Sequence, residues 1–346
     1  MLMTHRYAQQ QKKPHLISLH MTSYPHAWQP TASLKNLKAR ATLLKQIRQF
    51  FETRDALEVD TPLLCHGTVT DVHLSAFSSQ FSESHTGKME TLYLQTSPEY
   101  AMKRLLCAEY GDIYQICKAF RHEAAGRYHN PEFTMLEWYR LGFTHRELMM
   151  EMDALLQLTL GTEPAQKISY QAVFQQQLDI DPLTASVAEL QAVAIAQNID
   201  MPSGLPNDID TLLQLLFSLS IEPVIGADVP CFVFGFPVSQ AALARVNESD
   251  GRTADRFEVY FKGIELANGF FELADGHEQR QRFVRDNLQR QQLGLPELPV
   301  DEYFLSALDG GLPDCAGVAM GIDRLLMIKL NAKHIEEVMT FPISRA

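Results

Sequence analysis

The chain has 346 residues, enough for one large or two ordinary domains. With 46% hydrophobic and 21% charged residues it has the balance of a soluble globular protein, and a formal net charge of −12 argues against a broad nucleic-acid surface, which would be basic. Five cysteines, at 65, 107, 117, 231 and 315, make no Cys-x-x-Cys pair, so they read as reduced core thiols of a cytoplasmic protein with no zinc centre. The most apolar region, around 212–217, is too short to cross a membrane, and 15–21 lacks the apolar run of a signal peptide.

Residues 1–30 are polar, with four histidines and three prolines, and read as a disordered tail before a single domain over 31–346. Ser33 is placed to cap a helix whose buried stripe is Leu34, Leu37, Leu44, Ile47 and Phe51. A short strand over 57–62 stops at Pro62. Strands and a flexible hairpin near 82–88 follow, with 92–95 as a strand leading into the next helix. There Ser97 is an N-cap candidate and Pro98 suits the first helical position. Ala101, Met102, Leu105 and Leu106 recur at helical spacing and Gly111 closes the turn.

Residues 113–121 and 132–141 read as two strands joined by a long loop. Arg121 and Glu123 are two apart, hence on one face if the strand continues, and an Arg fork suits a phosphate while a carboxylate suits an amine. On the return strand Phe133, Met135, Glu137 and Tyr139 share one face, a poor composition for a core. A salt-bridged hairpin with a partly exposed face is the alternative reading.

The region over about 145–222 is mainly helical, carries no obvious chemistry, and reads as an insertion packed on a sheet. A strand over 229–236 precedes a hairpin of 256–262 and 264–273 about Gly263. Glu265 and Glu272 lie seven apart on its second strand, so regular alternation puts them on opposite faces. A bulge at Asn268-Gly269 would turn both toward one metal; two surface acids are the alternative. Asp275 and Asp301 start two helices. A glycine-rich strand over 317–321 then enters a helix, with Gly321 able to let a nucleotide approach the backbone and Arg324 in the first turn. This spacing is neither a Walker A loop nor a dinucleotide fingerprint.

Phe120-Arg121-His122-Glu123 followed by Arg127-Tyr-His-Asn-Pro-Glu-Phe133 resembles motif 2 of the class II aminoacyl-tRNA synthetases, and His-Asn-Pro-Glu-Phe-Thr-Met-x-Glu-x-Tyr is similar to the lysyl branch. The helix and strand ending at Pro62 resemble motif 1, and 317–327 resembles motif 3. The motifs occur in class II order and cover about 31–346, like the catalytic half of a lysyl-tRNA synthetase without room for an anticodon-binding domain before motif 1. That shortened form resembles the elongation factor P lysine lysyltransferases, as do Trp28-Gln-Pro30, Ser97-Pro-Glu99 and Glu265-Leu-Ala-Asn-Gly-Phe270. The resemblance implies an α+β fold, an antiparallel sheet flanked by helices with a helical insertion between motifs 2 and 3, and a cytoplasmic homodimer. It implies activation of (R)-β-lysine by ATP and Mg²⁺ and transfer to a lysine of elongation factor P, with tRNA and membranes not partners. A shortened lysyl-tRNA synthetase and a non-catalytic class II paralogue are the competing readings.

The resemblance also implies roles residue by residue. Arg121 would meet the α-phosphate and Arg324 the γ-phosphate. Glu123 and Asn130 would lie near the adenine end, Phe133 would stack on the base, and His122, Leu266 and Gly321 would complete the nucleotide site. Glu265 and Glu272 would hold Mg²⁺. Ser97, Pro98, Glu99, Glu137 and Tyr139 would line the amino-acid pocket with Glu272. His122 stands where many members have Asn. His277 and Ala319 also belong to the pocket, at positions where lysyl-tRNA synthetases have Glu and Gly, and the added methyl group favours a β-amino acid.

Overall fold

The computed structural model describes residues 28–83, 86–201 and 208–346. The tail read over 1–30 therefore falls almost wholly outside the described residues, as does part of the 82–88 hairpin. By internal contacts the chain divides into a larger unit, Pro30–Glu163, Ala242–Arg245 and Leu266–Ala346, and a smaller one containing Pro164–Ala241 and Val246–Glu265.

The larger unit opens with α1 (Leu34–Glu52), capped by Ser33, whose hydroxyl accepts from Asn36 N at 3.1 Å. Its buried stripe is Leu43, Ile47, Phe50 and Phe51, while Leu34, in the first turn, is exposed. The stripe thus begins two turns later than the apolar spacing suggests. Strand β1 (Leu57–Glu58) is short, β2 (Leu64–Cys65), β3 (Ser78–Ser82) and β4 (Met89–Leu94) form a small sheet in the order β2-β4-β3, and α2 spans Glu99–Cys107. Then come β5 (Ile113–Phe120), β6 (Glu132–Leu141) and α3 (His145–Leu160), the last started by a Thr144–Glu147 capping box.

The smaller unit holds β7 (Gln166–Ser169), α4 (Tyr170–Leu178), α5 (Val187–Ala196), α6 (Ile209–Leu216), β8 (Cys231–Pro237) and β9 (Thr253–Phe261). Its core is aromatic, with Tyr170 stacked on Phe217 at 5.4 Å and beside Phe174 and Phe236. Strand β7 pairs parallel with β8, so the region read as helical also contributes a strand. The division falls at Pro164, and α3 lies in the larger unit.

Strand β10 (Ile264–Phe271) follows a turn in which Lys262 (φ 52°) and Gly263 (φ 70°) both take the left-handed backbone that a tight hairpin needs. The larger unit closes with α7 (Gly276–Gln292), α8 (Glu302–Gly310), β11 (Cys315–Gly321) and α9 (Ile322–Leu330). Within it β1-β5-β6-β11-β10 are neighbours in that order, all antiparallel except β1 with β5. This is the α+β architecture expected, an antiparallel-rich sheet with flanking helices.

Strand β6 is buried on both faces. On one, Trp138 packs against Phe51 (5.3 Å between centroids), which stacks on Tyr114 at 4.5 Å, while the Trp138 indole donates to Glu151 on α3 at 3.0 Å. Burying that face of α1 and α3 leaves the other face of β6 for polar work. Register then brings Glu137 beside Ala319 of β11 and Gln115 of β5, and Tyr139 beside Gly317. The ladder from Ala267 to Phe271 against β11 keeps one register throughout, so the bulge expected at Asn268-Gly269 is not in that pairing.

Candidate active site

A buried acidic cluster, the candidate amino-acid pocket, forms where α2 meets the polar face of the larger unit's sheet. Glu99 occupies the first position of α2, and Lys103 follows one turn later on the same face. The Lys103 ammonium is fully buried, 2.6 Å from Glu99 Oε1 and 2.5 Å from Glu272 Oε2. Glu137 accepts from the Ser97 hydroxyl at 2.6 Å and the Tyr139 hydroxyl at 2.7 Å. Ser97 Oγ in turn accepts from Glu99 N at 3.1 Å, so the helix start and the pocket share one hydroxyl. Pro98 stands at the N-cap position of α2. Glu272 Oε1 is buried and has no hydrogen-bond partner among the described residues.

The electrostatics follow from burial. Three carboxylates, Glu99, Glu137 and Glu272, face one ammonium, which leaves two negative charges in excess when all are ionised. Burial, aided by the Glu99 charge, pushes Glu137 up to about 7 against the hydrogen bonds from Ser97 and Tyr139. Burial also raises Glu272, opposed by Lys103 and reinforced by Glu99. For Lys103, burial alone would depress the ammonium, but Glu272 and Glu99 outweigh it and hold it above its ordinary range. An incoming cation relieves the surplus charge.

Gly317 has a packing reason. A Cβ there would overlap the Tyr139 ring and lie 2.6 Å from Glu272 Oε1. Ala319, half-buried, is the register partner of Glu137 and of Asn268, on the pocket side of β11. His277 stands apart: it is exposed in the first turn of α7 and its ring is 2.9 Å from Gln281 Nε2.

The second cluster is cationic. Strand β5 stops at Phe120, and Glu123 N donates to Arg121 O at 2.8 Å, so a turn replaces the continued strand expected at Arg121 and Glu123. The Arg121 guanidinium lies 5.2 Å from the centre of the Phe133 ring. Arg324, in the first turn of α9, donates to Tyr128 O at 3.3 Å and is 2.7 Å from His129 Nε2. Burial, then the charges of Arg324 and Arg121, lower His129 to about 4, keeping the ring neutral so that its nitrogen can accept. A Cβ on Gly321 would meet only the Arg324 side chain, 3.6 Å away, leaving the backbone there approachable.

Three other residues expected at the nucleotide can be placed. Asn130 is buried, donating to Glu132 O at 2.6 Å and accepting from Ile343 N at 2.9 Å, which ties the hairpin to the C-terminal segment. His122 is exposed, its backbone N donates to Ser75 O at 2.7 Å, and its ring lies 4.8 Å from that of Phe77. Leu266 is a buried core residue.

The two candidate metal ligands keep different company. Glu272 belongs to the Lys103 cluster just described. Glu265, half-buried in the smaller unit, has Glu258 and Tyr260 as its electrostatic neighbours. Glu258 is bound by the Arg256 guanidinium and the Tyr260 hydroxyl. Its carboxyl is raised by burial, opposed by Arg256 and reinforced by Glu265. Among the described residues no group of three or more His, Cys, Asp or Glu is arranged to hold a metal. Mg²⁺ at a nucleotide needs fewer, one or two carboxylates beside phosphate oxygens and water, and Glu265 offers one, whereas both oxygens of Glu258 are taken by Arg256 and Tyr260. Two residues in these clusters, Lys103 and Glu258, were missed by sequence reasoning. The i,i+4 spacing of Glu99 and Lys103, and the position of Glu258 across the hairpin from Glu265, were the available signals.

An antiparallel sheet carrying an acidic pocket and an arginine pair on flanking motifs defines a class of ATP-using synthetase domains. The chain belongs to the class II tRNA synthetases: the family described as "tRNA synthetases class II (D, K and N)" matches residues 22–345. Among curated proteins it is similar to the elongation factor P–(R)-β-lysine ligase of Vibrio cholerae, 56% identical over 92% of this chain and 98% of that protein. Proteins of the same name from Photobacterium profundum (55% identical, 92% and 99% covered) and Vibrio parahaemolyticus (56%, 91% and 98%) are comparably similar. No helix among the described residues is long and apolar enough to cross a membrane.

Proposed function

We propose that this chain is a ligase that activates (R)-β-lysine with ATP and transfers it to a lysine side chain of elongation factor P, acting as a cytoplasmic homodimer. The observation that carries the reading is the acidic cluster: three buried carboxylates share one ammonium, which leaves two acids to partner the two ammonium groups of a lysine, each of which needs an acid partner once desolvated. The names of the similar proteins supply the acceptor and the isomer.

The reaction has two displacements. The substrate carboxylate attacks the α-phosphorus of ATP, a C–O–P bond forms, and the bond to pyrophosphate breaks. Arg121 supplies charge-assisted donors to the α-phosphate as negative charge builds, and Phe133 offers its ring to adenine. Arg324, held by Tyr128 O and His129, presents a cation to the terminal phosphates. When bound, Mg²⁺ would neutralise phosphate charge, and Glu265 would contribute a carboxylate to holding it. Glu99, Glu137, Glu272 and Tyr139 hold and orient the amino acid. An acceptor amine, deprotonated, then attacks the acyl carbon, and AMP leaves with the electron pair of the broken C–O bond.

The test is the intact mass of elongation factor P after incubation with enzyme, ATP and each lysine isomer, beside a tRNA charging assay. We expect one lysyl addition to the protein, fastest with (R)-β-lysine. Stable lysylation of tRNA at a comparable rate refutes the acceptor assignment.

Ala319 bears on the isomer. Its methyl group projects on the pocket side next to Glu137. A misfit of one methylene is worth roughly 10- to 200-fold in discrimination. Ala319→Gly is expected to narrow the preference for (R)-β-lysine over α-lysine by improving the latter. Adenylate formation measured with both isomers checks this, and an unchanged ratio removes Ala319 from the specificity argument.

A further inference from the structure

Lys103 has no part in the chemistry described above, yet it is the one fully buried ammonium in the pocket's wall. Its helix is locked from behind: Tyr100 stacks on Phe304 at 4.6 Å, and the same Phe304 ring lies 5.8 Å from Lys103 Nζ. The ammonium is thereby fixed, and it binds two carboxylates from elements far apart in sequence, Glu99 of α2 and Glu272 just past β10. The third carboxylate, Glu137, is fixed independently by Ser97 and Tyr139.

We propose that Lys103 is a positioning and specificity-determining residue: it is the pocket's internal counter-ion, which aims Glu99 and Glu272 at the substrate and trims the charge of three acids to the two that a diammonium amino acid requires. This rests on the functional reading above. Two buried carboxylates this close to one nitrogen cannot both remain ionised without it; one would take up a proton and become a poorer partner for an ammonium. With Lys103 present, Glu272 Oε1 stays a buried acceptor with no hydrogen-bond partner among the described residues, as a substrate ammonium requires. Because Lys103 Nζ is wholly enclosed, the substrate cannot take its place.

The experiment is pyrophosphate exchange with (R)-β-lysine in the full chain. Lys103→Met should raise KM for the amino acid about 10- to 100-fold, as misplaced binding groups do, while KM for ATP stays near wild type. Lys103→Gln, which retains hydrogen-bond donors but not the charge, should show the same split and serves if the Met variant does not fold. Unchanged KM for the amino acid in the neutral variants, or an equal rise in both KM values, overturns the role of Lys103. A wild-type enzyme that activates no lysine isomer overturns the functional reading itself, and the dication match with it.

Discussion

Arg121→Ala is expected to slow pyrophosphate exchange about 10²- to 10³-fold, the usual cost of removing one donor aimed at developing charge. Arg121 sits where β5 gives way to a turn, with its backbone N bonded to Pro131 O at 2.9 Å, so the return limb of the hairpin sets the height of its side chain above the sheet. The guanidinium lies against Phe133, and together they offer a cation and an aromatic face at neighbouring points. A phosphate and a purine ring on one nucleotide call for that combination. The loss should fall on kcat as well as KM, because the charge on the α-phosphate grows toward the transition state. Stability should fall by no more than about 2 kcal/mol, the worth of a cation–π contact at a partly desolvated site. Exchange at near wild-type rate in a folded Arg121→Ala protein would falsify the assignment of the 120–133 hairpin.

The contrast between Arg121 and Lys103 shows what the amino-acid order makes legible. The strand over 132–141 is set by local alternation and turn chemistry, and β6 has those limits in the structure. Ser33, Asp275 and Asp301 announce their helices because capping is a local hydrogen bond, and each side chain does accept one. Lys103 was not visible because periodicity counts apolar residues, and a lysine on a helix is assigned to solvent by default. Only tertiary packing reveals that α2 buries Glu99 and Lys103 along with Tyr100, Met102 and Leu106. Glu258 is hidden for a related reason: spacing along one strand relates Glu265 only to Glu272, whereas its electrostatic neighbours lie across the Lys262-Gly263 turn. Strand β7 is a four-residue polar segment, Gln166–Ser169, that exists by virtue of parallel pairing with β8, a partner more than sixty residues away that no local pattern specifies. The motif resemblance points to residues that the fold gathers into the acidic cluster and the arginine cluster, but which acid serves which cation is a question of burial and pairing.

Gly317→Ala should damage the amino-acid pocket as severely as any single methyl can. Gly317 lies in β11 opposite Tyr139 of β6 and Phe270 of β10, and its φ is not in the left-handed region, so alanine meets no backbone strain there. The difficulty is space. The new Cβ would fall within the Tyr139 ring and 2.6 Å from Glu272 Oε1, and neither neighbour is free to retreat. Tyr139 is buried and hydrogen-bonded to Glu137 at 2.7 Å, and Glu272 is buried against Lys103. Overpacking of this kind costs about 1–3 kcal/mol of stability, and shifting two pocket groups by an ångström is worth roughly 100-fold in affinity or rate. The expected result is a lower melting temperature and a KM for the amino acid raised about 100-fold, with KM for ATP little changed. Gly321→Ala is the matched control on the same strand: its Cβ would meet only Arg324 at 3.6 Å, so stability should hold while ATP binding weakens. Thermal unfolding and the two KM values, measured on both variants, decide the matter. A Gly317→Ala enzyme with wild-type stability and wild-type amino-acid KM would mean that Tyr139 and Glu272 do not bound the pocket from this side.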